Sequence, residues 1–317
     1  MRVKEIKTVA CLGTGTMGHG VAFLAAKAGY AVRLFGRTWE SIDKGLAGID
    51  RASALYEDNA LMPKGAGAEI KSRITTVTSI EEAVDGASLV MESVAENLEI
   101  KQKTFALAER HCRPDAILAT NTSSLSPSDI SSPLARPENF LSIHFWSPPY
   151  LVPLVEVTPI PATLPSIPEL AARWVESLGN VPIPLEKEVQ GFIGNRIQAA
   201  CLREALHIVE QGWASPKIVD KAIVLTLGRR YSQTGPIESA DMGGLDIFKN
   251  VLGQLNPVLG ARTDPGPIID NAIQNGNLGL KTGKGVYPWP PETVAARRNA
   301  REQSLIGFMK DDLAKKA

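Results

Sequence analysis

Residues 9–29, VACLGTGTMGHGVAFLAAKAG, constrain the fold more than any other stretch of the chain. Ile6, Val9, Ala10 and Leu12 predict a short buried strand, the Ala-rich run 21–28 predicts a helix ended by Gly29, and residues 31–35 predict a second strand. Between first strand and helix lies Gly13-Thr14-Gly15-Thr16-Met17-Gly18. A GxGxxG turn is weak evidence by itself. Set between strand and helix, it reads as a seat for a dinucleotide: Gly13 makes the tight turn, Gly15 lets backbone N–H groups approach a pyrophosphate, and Gly18 lets the helix pack closely on the strand. Thr16 and Met17, in the same turn, join the expected cofactor contacts. The helix N-terminus adds its partial positive charge.

The rest of the first half continues the alternation. Helix is expected over 38–59, a break at Pro63, Gly65 and Gly67, strands over 74–77 and 88–94 with a short helical link at 80–84, helix over 100–111 and a strand over 116–119. That pattern predicts an α/β fold, a Rossmann-type doubly wound parallel sheet. Strands over 140–144 and 154–157 follow, joined by a Pro-rich stretch, then a helix over 167–178 and a short strand near 181–184. Beyond residue 190 the pattern is almost purely helical: 193–210, 216–227, 245–255, 268–274 and a charged terminal helix from Glu292. The expected division is a cofactor-binding domain over 1–188 and an all-helical C-terminal domain over 189–317 for substrate binding and dimerisation. The helix over 193–210 is apolar on more than one face, which suits either a subunit interface or ordinary core packing.

Charge narrows the partners. Lys+Arg and Asp+Glu number 34 each, so nothing favours nucleic acid or an anionic membrane, and no apolar run has membrane-spanning length. Cys11, Cys112 and Cys201 show no metal-ligand spacing and read as reduced, mostly buried thiols. With an N-terminus that runs straight into the first strand, this predicts a cytoplasmic protein without a signal peptide.

The second strand ends Phe35-Gly36-Arg37-Thr38, where dinucleotide folds usually carry an acid for the ribose hydroxyls. The acid is missing and a guanidinium stands beside its place. Arg37 could pair with a 2′-phosphate, Thr38 adding a hydroxyl, which favours NADP; the alternative is a solvated Arg and NAD held without the acidic contact.

Four residues downstream suggest chemistry. His144 ends a strand, at the edge of the sheet where such folds react. Glu156 sits among Leu154, Val155 and Val157, where a carboxylate needs a partner. A His–Glu pair would fix the imidazole tautomer of a base that removes a hydroxyl proton during hydride transfer. Ser123, just beyond a strand end, can hydrogen-bond a substrate oxygen, while Ser126-Pro127-Ser128-Asp129 is a helix-start signature. Asn195 is a poor residue for its helix unless its amide has a task. His19 either touches the cofactor or begins the first helix.

The ordered motifs GTGTMGHGVA (13–22), ESVAENLEIKQ (92–102), NTSSLS (121–126), HFWSPP (144–149), PLVEV (153–157), GFIGNR (191–196), GPIESADMGGLD (235–246) and GLKTGKGVYPW (279–289) resemble those of the 3-hydroxyacyl-CoA dehydrogenase family over nearly the whole chain. The resemblance implies that His144 is the general base, Glu156 its orienting carboxylate, and Ser123 and Asn195 the holders of the reacting oxygen. It places Glu96 near the nicotinamide, counts Asn121 with the cofactor contacts, and implies a homodimer with substrate between the domains. Three features depart from the family: Ser147 stands where HxxNP has Asn, Gly36-Arg37 replaces the acid, and no basic patch for CoA phosphates stands out after the second strand. The spelling WSPPYLVPLVEVTP is similar to that of branches acting on free hydroxy acids or other alcohols, such as gulonate and carnitine dehydrogenases and lambda-crystallin.

The function expected is reversible, NAD(P)-dependent hydride transfer between a 3-hydroxy and a 3-keto acyl compound. The substrate is a 3-hydroxyacyl-CoA or, alternatively, a free hydroxy acid. A non-catalytic, crystallin-like cofactor binder is the remaining alternative.

Overall fold

The computed structural model describes residues 5–316, which form two compact units, residues 5–193 together with 301–316 and residues 194–300. In the first unit the order is β1 (Thr8–Leu12), α1 (Thr16–Lys27), β2 (Ala31–Phe35), α2 (Trp39–Asp58), α3 (Ala66–Ser72), β3 (Ile74–Val77), α4 (Ile80–Val84) and β4 (Leu89–Glu92). Then come α5 (Leu98–His111), β5 (Ile117–Thr120), α6 (Pro127–Ser131), β6 (Phe140–Phe145), β7 (Leu154–Pro159), α7 (Ser166–Ser177) and β8 (Val181–Pro184). The strands make one sheet in the order β3-β2-β1-β4-β5-β6-β7-β8. Pairing is parallel from β3 through β6, antiparallel between β6 and β7, and parallel again between β7 and β8. Winding reverses between β1 and β4, which opens a crevice at their carboxyl ends.

Two cores explain why these strands read as unbroken apolar runs. Val9 and Cys11 of β1, Leu89 and Met91 of β4, and Ile117 and Ala119 of β5 face one core, with Phe23 and Trp174. Ala10 and Leu12, Val90 and Leu118 face the other, with Phe105 and Phe140 edge-to-face at 5.0 Å. Helices cover both faces, so each two-residue alternation buries both of its members. Each large side chain so buried contributes about 1.5–3 kcal/mol.

The second unit holds α8 (Gly194–Glu210), α9 (Pro216–Leu225), α10 (Leu227–Arg230), α11 (Pro236–Gly243), α12 (Leu245–Leu255), α13 (Pro267–Gln274) and the start of α14 (Pro291–Lys316). Residues 301–316 of α14 belong to the first unit, where Ile306 is buried and Met309 packs against the core that holds Trp174. The break between units falls after Ile193. Among the described residues of the second unit, Val219 is the one buried large apolar side chain, while Ile197, Leu202, Trp213 and Leu255 are exposed. No described helix is long and apolar enough to cross a membrane.

Several local readings need correction. The expected break near Gly65 holds a helix: Gly65, at φ 82°, turns the chain into α3, and Ile70 is buried in the core. The helix expected to reach residue 227 ends at Leu225, because Thr226 leaves helical geometry (φ −116°, ψ −85°) before α10 begins. Thr38 is the N-cap of α2 rather than its first residue: its hydroxyl accepts the Ser41 N–H at 3.2 Å. All three cysteines are free, and only Cys11 is buried; Cys112 is half-buried and Cys201 exposed.

Candidate active site

The glycine turn leaves β1 at the crevice. Gly13 has φ 121°, and a Cβ there would stand 2.5 Å from the Ser93 carbonyl oxygen after β4, so the turn can close only around glycine. A Cβ on Gly18 would lie 2.0 Å from the Gly13 oxygen. Gly15 differs: a Cβ would meet nothing within 4 Å. No packing contact requires glycine at position 15, and the open space lies at the start of α1, which has no side-chain cap for its first N–H groups. Bare donors beside a cradle that a side chain would fill fit a bound pyrophosphate. His19 braces this turn: it is buried, has backbone hydrogen bonds at Thr14 and Gly15, and faces Gly48 of α2, whose Cβ would come within 2.6 Å of Nε2. Burial pulls its imidazole below the ordinary value.

At the end of β2, a Cβ on Gly36 would lie 2.7 Å from Ile42 Cγ1 and 2.8 Å from Ser41 Oγ. A side chain at this position would have to displace Ile42 and Ser41 at the capped start of α2. Arg37 is exposed and has no hydrogen bond or ion pair with another described residue.

Chemistry converges at the carboxyl end of β6. His144 and Glu156 lie directly opposite each other in the antiparallel β6–β7 register, both buried. Nδ1 of His144 is 2.7 Å from Glu156 Oε2, and Nε2 is 3.0 Å from Ser123 Oγ, on the loop beyond β5. Beside an acceptor carboxylate, Nδ1 carries the proton and the Nε2 lone pair is presented to the Ser123 hydroxyl. Other donors also reach Glu156: the Ile193 N–H meets Oε1 at 2.8 Å and Trp146 Nε1 meets Oε2 at 3.4 Å.

Ser123 is held from the other side by Glu96. Its Oε1 accepts the Thr122 hydroxyl at 2.6 Å and the Ser123 and Ser124 N–H groups at 3.0 and 3.1 Å. Partial burial works to raise the Glu96 carboxyl, but these bonds and the Lys101 charge outweigh it and hold the group down at about 2. Lys101 is itself buried, 2.7 Å from Glu92 Oε1 and 3.2 Å from Glu96 Oε2. Burial pushes the Glu92 carboxyl up, while Lys101, Thr120 and the Val94 N–H oppose the rise. Asn121 ties the strand ends together, its side-chain oxygen accepting the Phe145 N–H at 2.8 Å.

Residues 8–189 match the family model of the 3-hydroxyacyl-CoA dehydrogenase NAD binding domain, and residues 191–289 that of the 3-hydroxyacyl-CoA dehydrogenase C-terminal domain. The chain belongs to the 3-hydroxyacyl-CoA dehydrogenase family. It is 30% identical over 301 residues to 5-formyl-3-hydroxy-2-methylpyridine 4-carboxylate 5-dehydrogenase of Mesorhizobium japonicum, covering 95% of this chain and 96% of that protein. It is 33% identical over 293 residues to a probable 3-hydroxybutyryl-CoA dehydrogenase of Bacillus subtilis, covering 91% and 99%. A solved structure of 5-formyl-3-hydroxy-2-methylpyridine 4-carboxylic acid 5-dehydrogenase, an NAD+-dependent dismutase, aligns with TM-score 0.89 at 29% identity, covering 96% and 98%. The protein is an NAD-dependent dehydrogenase acting on a CH–OH group.

Within this family frame, the first unit brings together Ser123, His144, Glu156 and Glu96, while Asn195 lies in the first turn of α8 in the second unit. Sequence reasoning missed several participants. Phe192 is buried with its ring 5.0 Å from His144 and only 25° from parallel, and it holds φ 49°. A bulky residue pays about 1–2 kcal/mol for that left-handed backbone. Ile193 and Trp146 donate to Glu156. Glu188 ties the junction to α6, accepting the Ser126 hydroxyl at 2.7 Å and the Ser128 N–H at 3.3 Å. The one available signal was position: Phe192 and Ile193 directly follow Gly191 in the GFIGNR motif.

Proposed function

We propose that the protein interconverts a compact hydroxy acid or related alcohol and its carbonyl form, with His144 as general base and no CoA carrier. The observation that carries this reading is the hydrogen-bonded run Ser123–His144–Glu156 at the carboxyl end of the sheet. A bound nicotinamide dinucleotide supplies the hydride acceptor or donor. Gly13, Gly15, Thr16, Met17 and Gly18 would hold its pyrophosphate, with Arg37 and Thr38 at the adenosine ribose and Glu96 and Asn121 toward the nicotinamide.

His144 Nε2 takes the substrate hydroxyl proton as the C–H hydride departs, and Glu156 stabilises the imidazolium that results. Positioned base catalysis of this kind is worth on the order of 10²- to 10⁴-fold. The Ser123 hydroxyl, already at Nε2, donates to the reacting oxygen; Asn195, by its place in GFIGNR, is assigned to the same oxygen. A protein that only binds cofactor has no use for this proton-transfer set.

Two observations favour a substrate without CoA. Lys44, Lys64 and Lys71 around α2 and α3 are paired with Glu40, Asp58 and Asp50 at 2.6, 2.7 and 2.9 Å, and Arg73 with Glu69, so few cations are left there for CoA phosphates. The relative from Mesorhizobium japonicum, similar over nearly the whole chain, acts by name on a pyridine carboxylate. A 3-hydroxyacyl-CoA is the second reading, favoured by the similarity to the Bacillus subtilis protein. The unpaired Arg37 and the missing acid at Gly36 support NADP over NAD. The exposed apolar side chains of the second unit support a homodimer, since a unit of this size needs more buried apolar surface than one side chain offers. Free thiols suit the cytoplasm.

The test follows NADH and NADPH oxidation separately with acetoacetyl-CoA and with free keto acids, alongside His144→Gln and Arg37→Ala. The expected result is activity on the free acids, lost in His144→Gln, and a preference for NADPH that Arg37→Ala abolishes. Activity confined to the thioester overturns the carrier, and full turnover in His144→Gln overturns the mechanism.

A further inference from the structure

We propose that Phe192 is a positioning residue for the base: its ring fixes the plane of the His144 imidazole and favours the imidazolium formed during alcohol oxidation. The inference rests on the reading of His144 as the base. The two rings lie 5.0 Å apart at 25°, so the π face of Phe192 covers one face of the imidazole. A cation over an aromatic face is attracted by the ring quadrupole, and the attraction grows as water is excluded. Both residues are buried, Phe192 at 1% and His144 at 3% exposure.

The backbone argues that this contact is imposed. Phe192 holds φ 49°, a conformation that a bulky residue adopts only when its surroundings dictate it. Its neighbours show what dictates it. The Ile193 N–H is committed to Glu156 Oε1 at 2.8 Å, and the Phe192 N–H to the Val189 carbonyl at 3.1 Å. Four residues earlier, Glu188 anchors the same segment to Ser126 and Ser128 at the start of α6. The segment is thus fastened on both sides of Phe192, and the turn that delivers the Ile193 N–H to Glu156 also lays the ring on His144.

Charged groups reach the imidazole and its Ser123 neighbour from two sides. Glu156 faces it from β7; Glu96, with Lys101 of α5 behind it, lies beyond Ser123 on the loop side. Trp146, on the chain just past β6, has its ring 5.7 Å away at a tilted 59°. Phe192 is the one aromatic ring stacked on His144 among the described residues.

Phe192→Leu keeps apolar cover over His144 and removes the π face. The experiment measures kcat/KM for alcohol oxidation against pH, with cofactor Kd and the melting temperature as controls for folding. The sign follows from the chemistry: without the ring the imidazolium is less favoured, so the acid limb moves to lower pH. A displaced acid limb is expected, with kcat reduced and the cofactor Kd unchanged. Phe192→Met, which keeps volume, is read the same way if the Leu protein does not fold. An acid limb superimposable on the parent's refutes the inference while loss of turnover in His144→Gln leaves the base assignment standing. Full turnover in His144→Gln refutes the base assignment itself and takes the inference with it.

Discussion

Replacing Glu156 with Gln tests the site most directly, because the carboxylate receives donors on both oxygens. Oε2 takes His144 Nδ1 at 2.7 Å and Trp146 Nε1 at 3.4 Å, while Oε1 takes the Ile193 N–H at 2.8 Å. Gln is nearly isosteric but has one oxygen and one NH₂. With its oxygen toward His144, the NH₂ confronts the Ile193 N–H, and two buried donors go unmet. Each unmet group costs about 1–3 kcal/mol, so a loss of about 2–6 kcal/mol is expected, a large part of a typical domain's stability. With the amide reversed, the NH₂ faces Nδ1, which must then accept. The proton moves to Nε2, and the base is blocked. Either orientation removes the charge that stabilises the imidazolium, so kcat should fall on the order of 10²- to 10⁴-fold. Urea unfolding followed by Trp fluorescence reads the first quantity; NAD(P)H absorbance with the preferred substrate reads the second. A Glu156→Gln protein with an unchanged urea midpoint and kcat within about threefold of the parent, a barrier change under about 1 kcal/mol, would refute the reasoning.

Two further perturbations separate folding from binding. Gly13→Ala should destabilise by about 2 kcal/mol or more, because a φ of 121° and the Ser93 oxygen both exclude a side chain, whereas Gly15→Ala should stay within about 0.5 kcal/mol and yet weaken cofactor binding about tenfold or more. Melting temperature and NADH fluorescence titration check the pair, and equal effects of both variants on stability would contradict it. Glu96 lies at about 2 in the folded protein, below its ordinary value of 4.5, so its contribution to stability is complete above about 4.5 and is lost as pH falls toward 2. Glu96→Gln should therefore be less stable than the parent at neutral pH, with a gap that closes below about pH 4.5; a gap constant from pH 7 to pH 3 in urea titrations refutes the assignment.

Much of the site was legible because its signals are local. The glycine spacing, the apolar strands that flank it and the start of α6 at Ser126 each depend on a few adjacent residues, and the structure repeats them with small shifts. Glu156 was legible for another reason: a carboxylate between Val155 and Val157 has to find a partner. The helix α3 was missed because Gly65 marks a break in any local reading, although here its positive φ starts a helix that buries Ile70. Glu92 and Lys101 carry no local signal, since nothing along the chain says that two opposite charges nine residues apart will be buried against each other.

By itself the sequence determined the doubly wound sheet and the dinucleotide turn and singled out His144 and Glu156 as candidates, since periodicity, turn chemistry and the cost of burying a charge act over short stretches of chain. Only the tertiary structure decided that His144 and Glu156 face each other in register, that Glu96 shapes the Ser123 loop, and that Phe192 lies on the imidazole. These contacts join residues 12 to 48 positions apart, and they are fixed by strand pairing and by a fastened junction rather than by any local preference.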